Sequence, residues 1–245
     1  MELEQIKDIA RSDIDITDNI AYFNVNGQIP RVTQIISKMI HEDAIVQWSN
    51  SLGFRHKSYT QVLKEAAEYG TYTHEGIEAF LKQEPLKDET PLIPIEAFKS
   101  WWTTLNLNNQ VRILGQEQRL TCPYFGGTYD LLLSINNKIF LVDFKTSNHV
   151  TYKYYIQLSA YSYLLKHLQN IYINGVIILQ LDKKEPKYTE YRLDLSNPIH
   201  KHYFDICERT FLSLLYAYYH ITYLEEGFKN ELQSKKTNNK RKKNR

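Results

Sequence analysis

The chain has 245 residues, of which 42% are hydrophobic and 24% charged, a balance typical of a globular domain large enough to bury a core. Its two cysteines, Cys122 and Cys207, argue against a disulfide framework, a zinc ribbon or a four-cysteine iron–sulfur cluster, and we expect two reduced thiols. The acidic N-terminus has no apolar signal core and no apolar run has the length of a membrane span, so we expect a cytoplasmic protein without a membrane partner.

Charge is distributed unevenly along the chain, although the net charge is only +2. Residues 229–245 contain eight Lys or Arg and one Glu, so this tail carries +7 and the remainder about −5. The composition of the tail predicts disorder. It could hold nucleic acid through phosphate attraction, or it could be a solvated end that aids solubility.

Residues 1–109 are predicted to form a hairpin and a helical wall. The hairpin would turn at Asn26-Gly27, and a helix would begin at Thr33. Arg31 and Thr33 could approach a phosphate, but Thr33 also fits an ordinary helix cap. Helical patterns continue to about residue 105, with breaks near 50–53 and 85–94.

One helix of this wall carries a histidine on an apolar face. Gly70, His74, Ile77 and Leu81 follow one another at helical spacing. A lone histidine in such a place is more often a core residue than a ligand, so the pattern alone leaves the role of His74 open.

A core at residues 110–228 is predicted to begin with a strand at 110–121. This strand carries Glu117, which could pair on the surface with Arg112 or Arg119. Later in the core, residues 175–182 and 188–193 read as a buried strand and an edge strand, and Lys183-Lys184 between them could touch a nucleic-acid backbone or be solvated. A final helix is predicted at 198–227, packed across the sheet.

The stretch at 126–161 reads as strand, tight Asn136-Asn137 turn, strand, loop and helix. Asp143 and Lys145 share one face of the second strand, and Asp130 lies on the first. Charged groups on an otherwise apolar strand are costly to bury unless they are paired or used. Two converging carboxylates favour a cation between them, and oxygen ligands suit Mg²⁺ or Mn²⁺.

The helix after these strands adds polar and aromatic groups. Gln157 and Tyr161 lie four residues apart and therefore share one helical face. Tyr152, Tyr154 and Tyr155 precede them; Tyr152 or Tyr154 could stack on unpaired bases, but core packing explains most tyrosines of this chain.

Three motifs of this stretch resemble the PD-(D/E)XK nuclease superfamily, in particular its RecB-like exonuclease branch. They are G-T-x-D at Gly127 to Asp130, D-F-K-T-S at Asp143 to Ser147 and Q-x-x-x-Y at Gln157 to Tyr161. The branch includes phage exonucleases and the mitochondrial genome-maintenance exonuclease. The resemblance implies an α/β fold, a restriction-endonuclease-like core with a central mixed sheet flanked by helices and an N-terminal helical elaboration.

The resemblance also assigns roles to residues. It implies a catalytic set of Asp130, Asp143, Lys145, Gln157 and Tyr161, and metal ligation by His74, Asp130, Asp143 and the backbone carbonyl of Phe144. Glu117 would support the metal site or the adjoining groove. The candidates for nucleic-acid contact are Arg31, Glu117, Thr146, Ser147 and Tyr154. Mg²⁺ is the expected cofactor, with Mn²⁺ as a substitute.

The resulting function hypothesis is a Mg²⁺-dependent DNA exonuclease of recombination, repair or replication, and a phage origin fits it. Its partner would be DNA, single-stranded or with a free end. Because no P-loop motif is present, a helicase would be a separate protein, as would a single-strand-binding or annealing protein. The alternatives are an endonuclease, for which no base-reading element is identifiable, and a catalytically silent nucleic-acid-binding module.

Overall fold

The computed structural model describes residues 27–40 and 58–243, with side chains as far as residue 232. The helices within these residues are α1 (Val32–Met39), α2 (Tyr59–Lys82), α3 (Leu92–Asn108), α4 (Tyr152–Gln169) and α5 (Pro198–Lys243). Five strands are β1 (Val111–Thr121), β2 (Gly126–Ile135), β3 (Lys138–Lys145), β4 (Gly175–Leu181) and β5 (Tyr188–Asp194). The protein therefore has an α/β fold, as predicted.

The strands form one mixed sheet in the order β1-β2-β3-β4-β5. Only β3 and β4 pair in parallel, because α4 connects them, and the other neighbours are antiparallel. The β2–β3 turn is the predicted pair Asn136 and Asn137, with φ of 51° and 64°. Asparagine tolerates this left-handed conformation better than most residues, and it gives the tight turn that matches strand twist.

Helices cover both faces of the sheet. On one face, α1, α4 and α5 enclose a core that includes Leu132, Leu141 and Phe211. On the other face, α2 and α3 enclose a second core around Phe98, Phe144 and other apolar side chains. The alternation predicted for β3 is confirmed, since Leu141 belongs to the first core and Phe144 to the second.

Strand β1 is irregular where it passes the end of β2. Its pairing changes register between Ile113 and Gly115, so that Leu114 is an extra residue. Glu117 lies further along with φ of 46°, a left-handed conformation that costs a non-glycine residue about 1 to 2 kcal/mol. The extra residue shifts β1 by one position, so it determines which β1 residue lies opposite each β2 residue beyond the bulge.

Two predicted helices differ from the structure. Helix α1 begins at Val32, with Arg31 at the capping position and no side-chain cap, so Thr33 lies inside the first turn and is not the cap. Helix α5 continues to Lys243, although composition predicts disorder from residue 229. Its sequence has no glycine or proline after Gly227 and is rich in Lys and Arg, which form helices readily.

The packing of α5 on the sheet agrees with the prediction. Its buried residues Phe204, Phe211 and Leu215 share a core with Leu141 and Val176 of the sheet, together with α1 and α4. The predicted turn at Asn26-Gly27 and the break at 50–53 fall largely or wholly outside the described residues.

Both cysteines are free thiols, Cys207 buried and Cys122 partly buried. No helix within residues 27–40 and 58–243 combines the length and apolar composition that a membrane crossing requires.

Two glycines of α2 provide a test of how this helix packs. A Cβ on Gly76 would lie 2.4 Å from Thr90 Cγ2 and 2.8 Å from Ile95 Cδ1. We expect Gly76→Ala to lower the free energy of unfolding by about 1 to 2 kcal/mol, because overpacking outweighs the gain in helix propensity. Gly70→Ala is the matched control, since its Cβ would meet only Thr146 Oγ1 at 3.8 Å, and it should be neutral or stabilising. Urea unfolding of both variants checks the prediction; equal stabilities would contradict the packing.

Candidate functional site

Three carboxylates stand in a row across three neighbouring strands. The pairs Gln116–Leu131 and Gln118–Tyr129 place Glu117 across from Asp130. On the other side, the pairing of Leu131 with Val142 places Asp130 across from Asp143. The row lies at the end of β3 from which α4 departs, and helix α2 passes over it.

His74 of α2 completes a cluster with two of these acids. Its Nδ1 lies 3.4 Å from Asp130 Oδ1 and 3.7 Å from Glu117 Oε1. Its Nε2 lies 3.1 Å from the carbonyl oxygen of Phe144. Ligand atoms of His74, Glu117 and Asp130 all lie within 4.8 Å of one another, close enough to hold one metal ion. His74 is thus brought to the predicted site.

Asp130 is also fixed by the backbone of β3. Its Oδ2 accepts a hydrogen bond from the Phe144 N–H at 2.7 Å, and the residue is 8% exposed. Phe144 therefore contributes both its N–H and its C=O to the cluster.

Asp143 and Lys145 form a buried ion pair on the same face of β3, as the alternation predicts. The Lys145 ammonium lies 2.5 Å from Asp143 Oδ2. It also lies 4.8 Å from the centre of the Tyr154 ring. Asp143 Oδ1 accepts a hydrogen bond from Gln157 Nε2 at 3.1 Å. Apart from the Lys145 ammonium, Oδ2 has no partner among the described residues.

Gln157 and Tyr161 face the site from α4. The Gln157 amide, which donates a hydrogen bond to Asp143, also lies 3.5 Å from the Tyr161 hydroxyl. Gly127 explains why the first motif needs a glycine, because a Cβ there would lie 2.6 Å from the Tyr161 ring. Only glycine lets this ring pack against the start of β2.

The charges of the cluster shift one another's proton affinities. Burial alone lowers the pKa of His74, but the carboxylate of Asp130 outweighs burial and raises the pKa to about 10. Burial raises the pKa of Asp130, yet the His74 and Lys145 charges hold that pKa below its usual value. The pKa of Glu117 is raised by burial. His74 is therefore an imidazolium that neutralises Asp130 at neutral pH.

The second carboxylate behaves differently. Burial, together with the charge of Asp130, raises the pKa of Asp143 to about 6 although Lys145 opposes the shift. Burial alone would lower the pKa of Lys145, but Asp143 and Asp130 raise the pKa above its usual value. The pKa of Tyr161 is raised by burial and by the two aspartates, so its hydroxyl stays protonated. The lysine is a stable cation, not a free base.

A cleft of about 690 Å³, which we call the acidic cleft, opens onto these groups. Among its lining residues are the predicted site residues Arg31, His74, Glu117, Asp130, Lys145, Gln157 and Tyr161. Asp143 lies beneath it, 1% exposed. Thr33, expected to cap a helix or approach a phosphate, lines the cleft. Arg31 extends toward a smaller cavity of about 260 Å³ that it shares with Arg119.

Three predicted nucleic-acid contacts lie apart from the acidic cleft. Thr146 and Ser147 line a second cleft of about 530 Å³ on the other side of Lys145. Tyr154 lies between them and the ion pair, and its hydroxyl donates to Ser147 Oγ at 3.0 Å. Tyr154 and Ser147 therefore hold the loop after β3 in place.

Sequence reasoning left the role of Glu117 undecided and missed some of the cleft. Glu117 faces His74 and not the surface arginines offered as its alternative partners. Glu75 and Glu78 of α2 and Thr128 of β2 also line the acidic cleft. For Glu78 the available signal was its spacing from His74, since residues four apart on a helix lie on the same side.

The donor set fits a hard divalent cation. His74, Glu117 and Asp130 offer one imidazole nitrogen and two carboxylates within 4.8 Å of one another, so oxygen predominates. The Phe144 carbonyl lies 3.1 Å from His74 Nε2, and Asp143 lies across from Asp130 on the next strand. The residues present could thus hold Mg²⁺ or Mn²⁺.

Comparison with known protein families finds no match, and no curated protein matches the sequence. Among solved structures, one similar chain is described as the crystal structure of SSO0001. It shares 14% sequence identity with this chain, with a TM-score of 0.35, and the match covers 78% of this chain and 80% of that chain. A similarity at this level carries no argument about function.

Proposed function

We propose that this protein is a Mg²⁺-dependent deoxyribonuclease with a PD-(D/E)XK core, acting as an exonuclease on DNA with a free end. The observation that carries the proposal is the convergence of Asp130, Asp143 and Lys145, with His74 and Glu117, at one end of the sheet. Recombination, repair or replication, in a phage or a cell, is the setting that the motifs favour. Manganese would substitute for magnesium.

The site has what phosphodiester hydrolysis needs from a protein. His74, Glu117, Asp130, Asp143 and the Phe144 carbonyl would hold the metal. A divalent ion supplies charge neutralisation at the phosphoryl oxygens and activation of water. The chain's own groups then have to position the nucleophile and the phosphate.

Lys145 is the group suited to that positioning. Its ammonium is kept charged by Asp143 and Asp130. Lys145 pairs with the buried Asp143 and also lines the acidic cleft. It can donate hydrogen bonds to the attacking water and to a phosphoryl oxygen, where negative charge develops. Gln157 fixes Asp143, and the protonated Tyr161 hydroxyl can donate to the scissile strand.

Burial of these acids argues against a silent binding module. Asp143 is 1% exposed and Asp130 is 8% exposed, beside a cleft that a polyanion would enter. Negative groups in such a place repel phosphates, and they cost solvation energy, so they have no use in binding alone. A divalent ion converts the same groups into a phosphate site.

The test is digestion of four matched DNA substrates: linear single-stranded, linear duplex, circular single-stranded and nicked circular. Each is incubated with Mg²⁺, with Mn²⁺ or with EDTA, using the natural protein and Asp143→Asn. We expect degradation of linear but not circular DNA. Degradation should be lost with EDTA, which removes the metal, and with the variant, which removes a negative charge that would hold the metal.

Other outcomes have clear meanings. Metal-dependent cutting of circles would replace the exonuclease by an endonuclease. If no substrate is cut with either metal while DNA still binds, the protein is a silent binding module and the proposal is wrong. Digestion that persists with Asp143→Asn would show that the activity does not use this site.

A further inference from the structure

The cleft on the far side of Lys145 has a different chemical character from the acidic cleft. It lies between the loop after β3 and the β4–β5 turn, and its polar lining includes Thr146, Asn148, Lys183 and Lys184. Its walls are formed by two segments almost 40 residues apart in sequence, so the cleft exists only in the folded protein. We call it the lysine cleft.

Two lysines of this cleft have no acidic partner. Lys187 pairs with Glu185 at the outer end of the turn. The Asp182 carboxylate accepts backbone N–H groups of Lys184 and Glu185, at 2.6 and 3.1 Å. Among the described residues, neither Lys183 nor Lys184 forms an ion pair, although the charge of Lys184 helps to lower the pKa of Asp182, which also lines the cleft. The cleft therefore presents two lysines that no ion pair holds.

Lys183 is held in place by an aromatic ring. Its ammonium lies 5.0 Å from the centre of the Tyr69 ring, and the side chain is partly buried. Burial lowers the pKa of Lys183, in keeping with a cation that is partly withdrawn from water. Tyr69 belongs to α2, one residue before Gly70, which lines the acidic cleft. Through this contact, the lysine cleft adjoins α2, the helix that carries His74.

The two clefts adjoin at the end of β3. Lys145 lines the acidic cleft and Thr146, the next residue, lines the lysine cleft. At the border, a Cβ built on Gly70 would lie 3.8 Å from Thr146 Oγ1, so the helix comes close to the loop there. The loop is fixed, since Gln180 Nε2 donates to the Ser147 carbonyl at 2.7 Å and Tyr154 donates to Ser147 Oγ.

We propose that the lysine cleft binds the sugar-phosphate backbone of the substrate strand next to the scissile phosphate, so that a bound strand occupies both clefts. Lys183 and Lys184 would contact phosphates, while the hydroxyl of Thr146 and the amide of Asn148 are uncharged donors beside them. The inference rests on the proposed nuclease function and adds where the strand lies. Contacts to phosphates do not depend on base sequence.

The test uses binding in EDTA, so that it does not depend on cleavage. All variants are made in the Asp143→Asn background, and binding of fluorescein-labelled single-stranded DNA is followed by anisotropy over a range of salt concentrations. Lys183→Gln/Lys184→Gln is compared with Lys138→Gln/Lys201→Gln, which also removes two charges but from lysines outside the cleft, paired with Asp194 and Asp205. The charge-retaining Lys183→Arg/Lys184→Arg variant is the rescue, and thermal unfolding checks that each variant is folded.

We expect the double glutamine variant to bind a long oligonucleotide about 10-fold more weakly at low salt, with the salt slope reduced by about 1.4, since each lost phosphate contact on a single strand contributes about 0.7. Lys138→Gln/Lys201→Gln and the double arginine variant should bind nearly as the background does. An oligonucleotide of about four nucleotides, too short to fill both clefts, should show a smaller difference.

Equal binding by Lys183→Gln/Lys184→Gln and the Lys138→Gln/Lys201→Gln control would overturn the inference, and the lysines of the cleft would be a solvated turn. Inorganic phosphate that displaces no oligonucleotide, but binds in a lysine-dependent way, would make the cleft a small-anion site instead. The proposed function can fail separately: if the natural protein cuts no DNA while the double variant still binds DNA more weakly, only the nuclease assignment is lost.

Discussion

Lys145→Ala is expected to lower the rate of DNA hydrolysis by about 10³-fold, or ~4 kcal/mol of transition-state stabilisation, while the protein still folds and binds DNA. The ammonium pairs with Asp143 and also lines the acidic cleft. Among the described residues, Lys145 is the only lysine that lines this cleft, so the variant loses the one ammonium donor beside the buried acids. Single-turnover digestion of linear DNA measures the effect. DNA binding is measured by anisotropy in parallel.

The matched control for this variant is Lys138→Ala at the other end of the same strand. Lys138 lies 3.4 Å from Asp194 on the surface, far from the carboxylates of the site. Its replacement should leave the rate within about twofold, because exposed ion pairs contribute little. If the alanine variant does not fold, Lys145→Gln is used in its place, because glutamine keeps most of the side-chain volume and a hydrogen-bond donor. Hydrolysis by both Lys145 variants at the natural rate would remove the lysine from the mechanism.

Asp130→Asn is expected to weaken metal binding by at least about 100-fold and to lower hydrolysis by about 10³-fold. Asp130 is the central carboxylate of the row and the one that faces His74. The amide oxygen of asparagine can still accept the Phe144 N–H that Asp130 Oδ2 accepts at 2.7 Å. The variant should therefore fold. Isothermal titration with Mn²⁺ and the digestion assay measure the two losses.

The same variant has a readout that needs neither metal nor substrate. The pKa of His74 is raised to about 10 chiefly because the Asp130 charge overcomes burial. Without that charge burial prevails, so the pKa of His74 should fall and the ring should lose its proton at lower pH. Titration of the His74 ring resonances by NMR in EDTA follows this shift. Asp205→Asn, which removes an exposed acid paired only with Lys201, is the control. An unchanged His74 titration in Asp130→Asn would contradict the geometry of the cluster.

Most strands and helices of the core follow from periodicity and turn chemistry. The predicted strand at 110–121 and the tight turn at Asn136-Asn137 are confirmed within one residue. The helix with Gln157 and Tyr161 is present too, but it begins at Tyr152, so the tyrosines expected just before it lie in its first turns. Each element depends on interactions within a short stretch of chain, so that the residues themselves carry the information. After residue 228, where composition predicts disorder, the described helix continues to Lys243.

For the site, the sequence by itself determined the pairing of two acids and a lysine. A two-residue turn fixes the register of its hairpin, and the Asn136-Asn137 turn therefore sets Asp130 across from Asp143. Alternation along β3 then places Lys145 beside Asp143 on the same face. These relations are local, since they need only the chain between residues 130 and 145.

Only the tertiary structure decided which distant groups join them. His74 reaches the Phe144 carbonyl across 70 residues of sequence because α2 packs over the end of the sheet. The extra residue Leu114 shifts β1 by one position, so that Glu117 and not Gln116 lies across from Asp130. The lysine cleft forms in the same way, from two loops that adjacent parallel strands bring together. Periodicity does not encode such contacts, because they depend on how whole elements pack and on where a strand bulges.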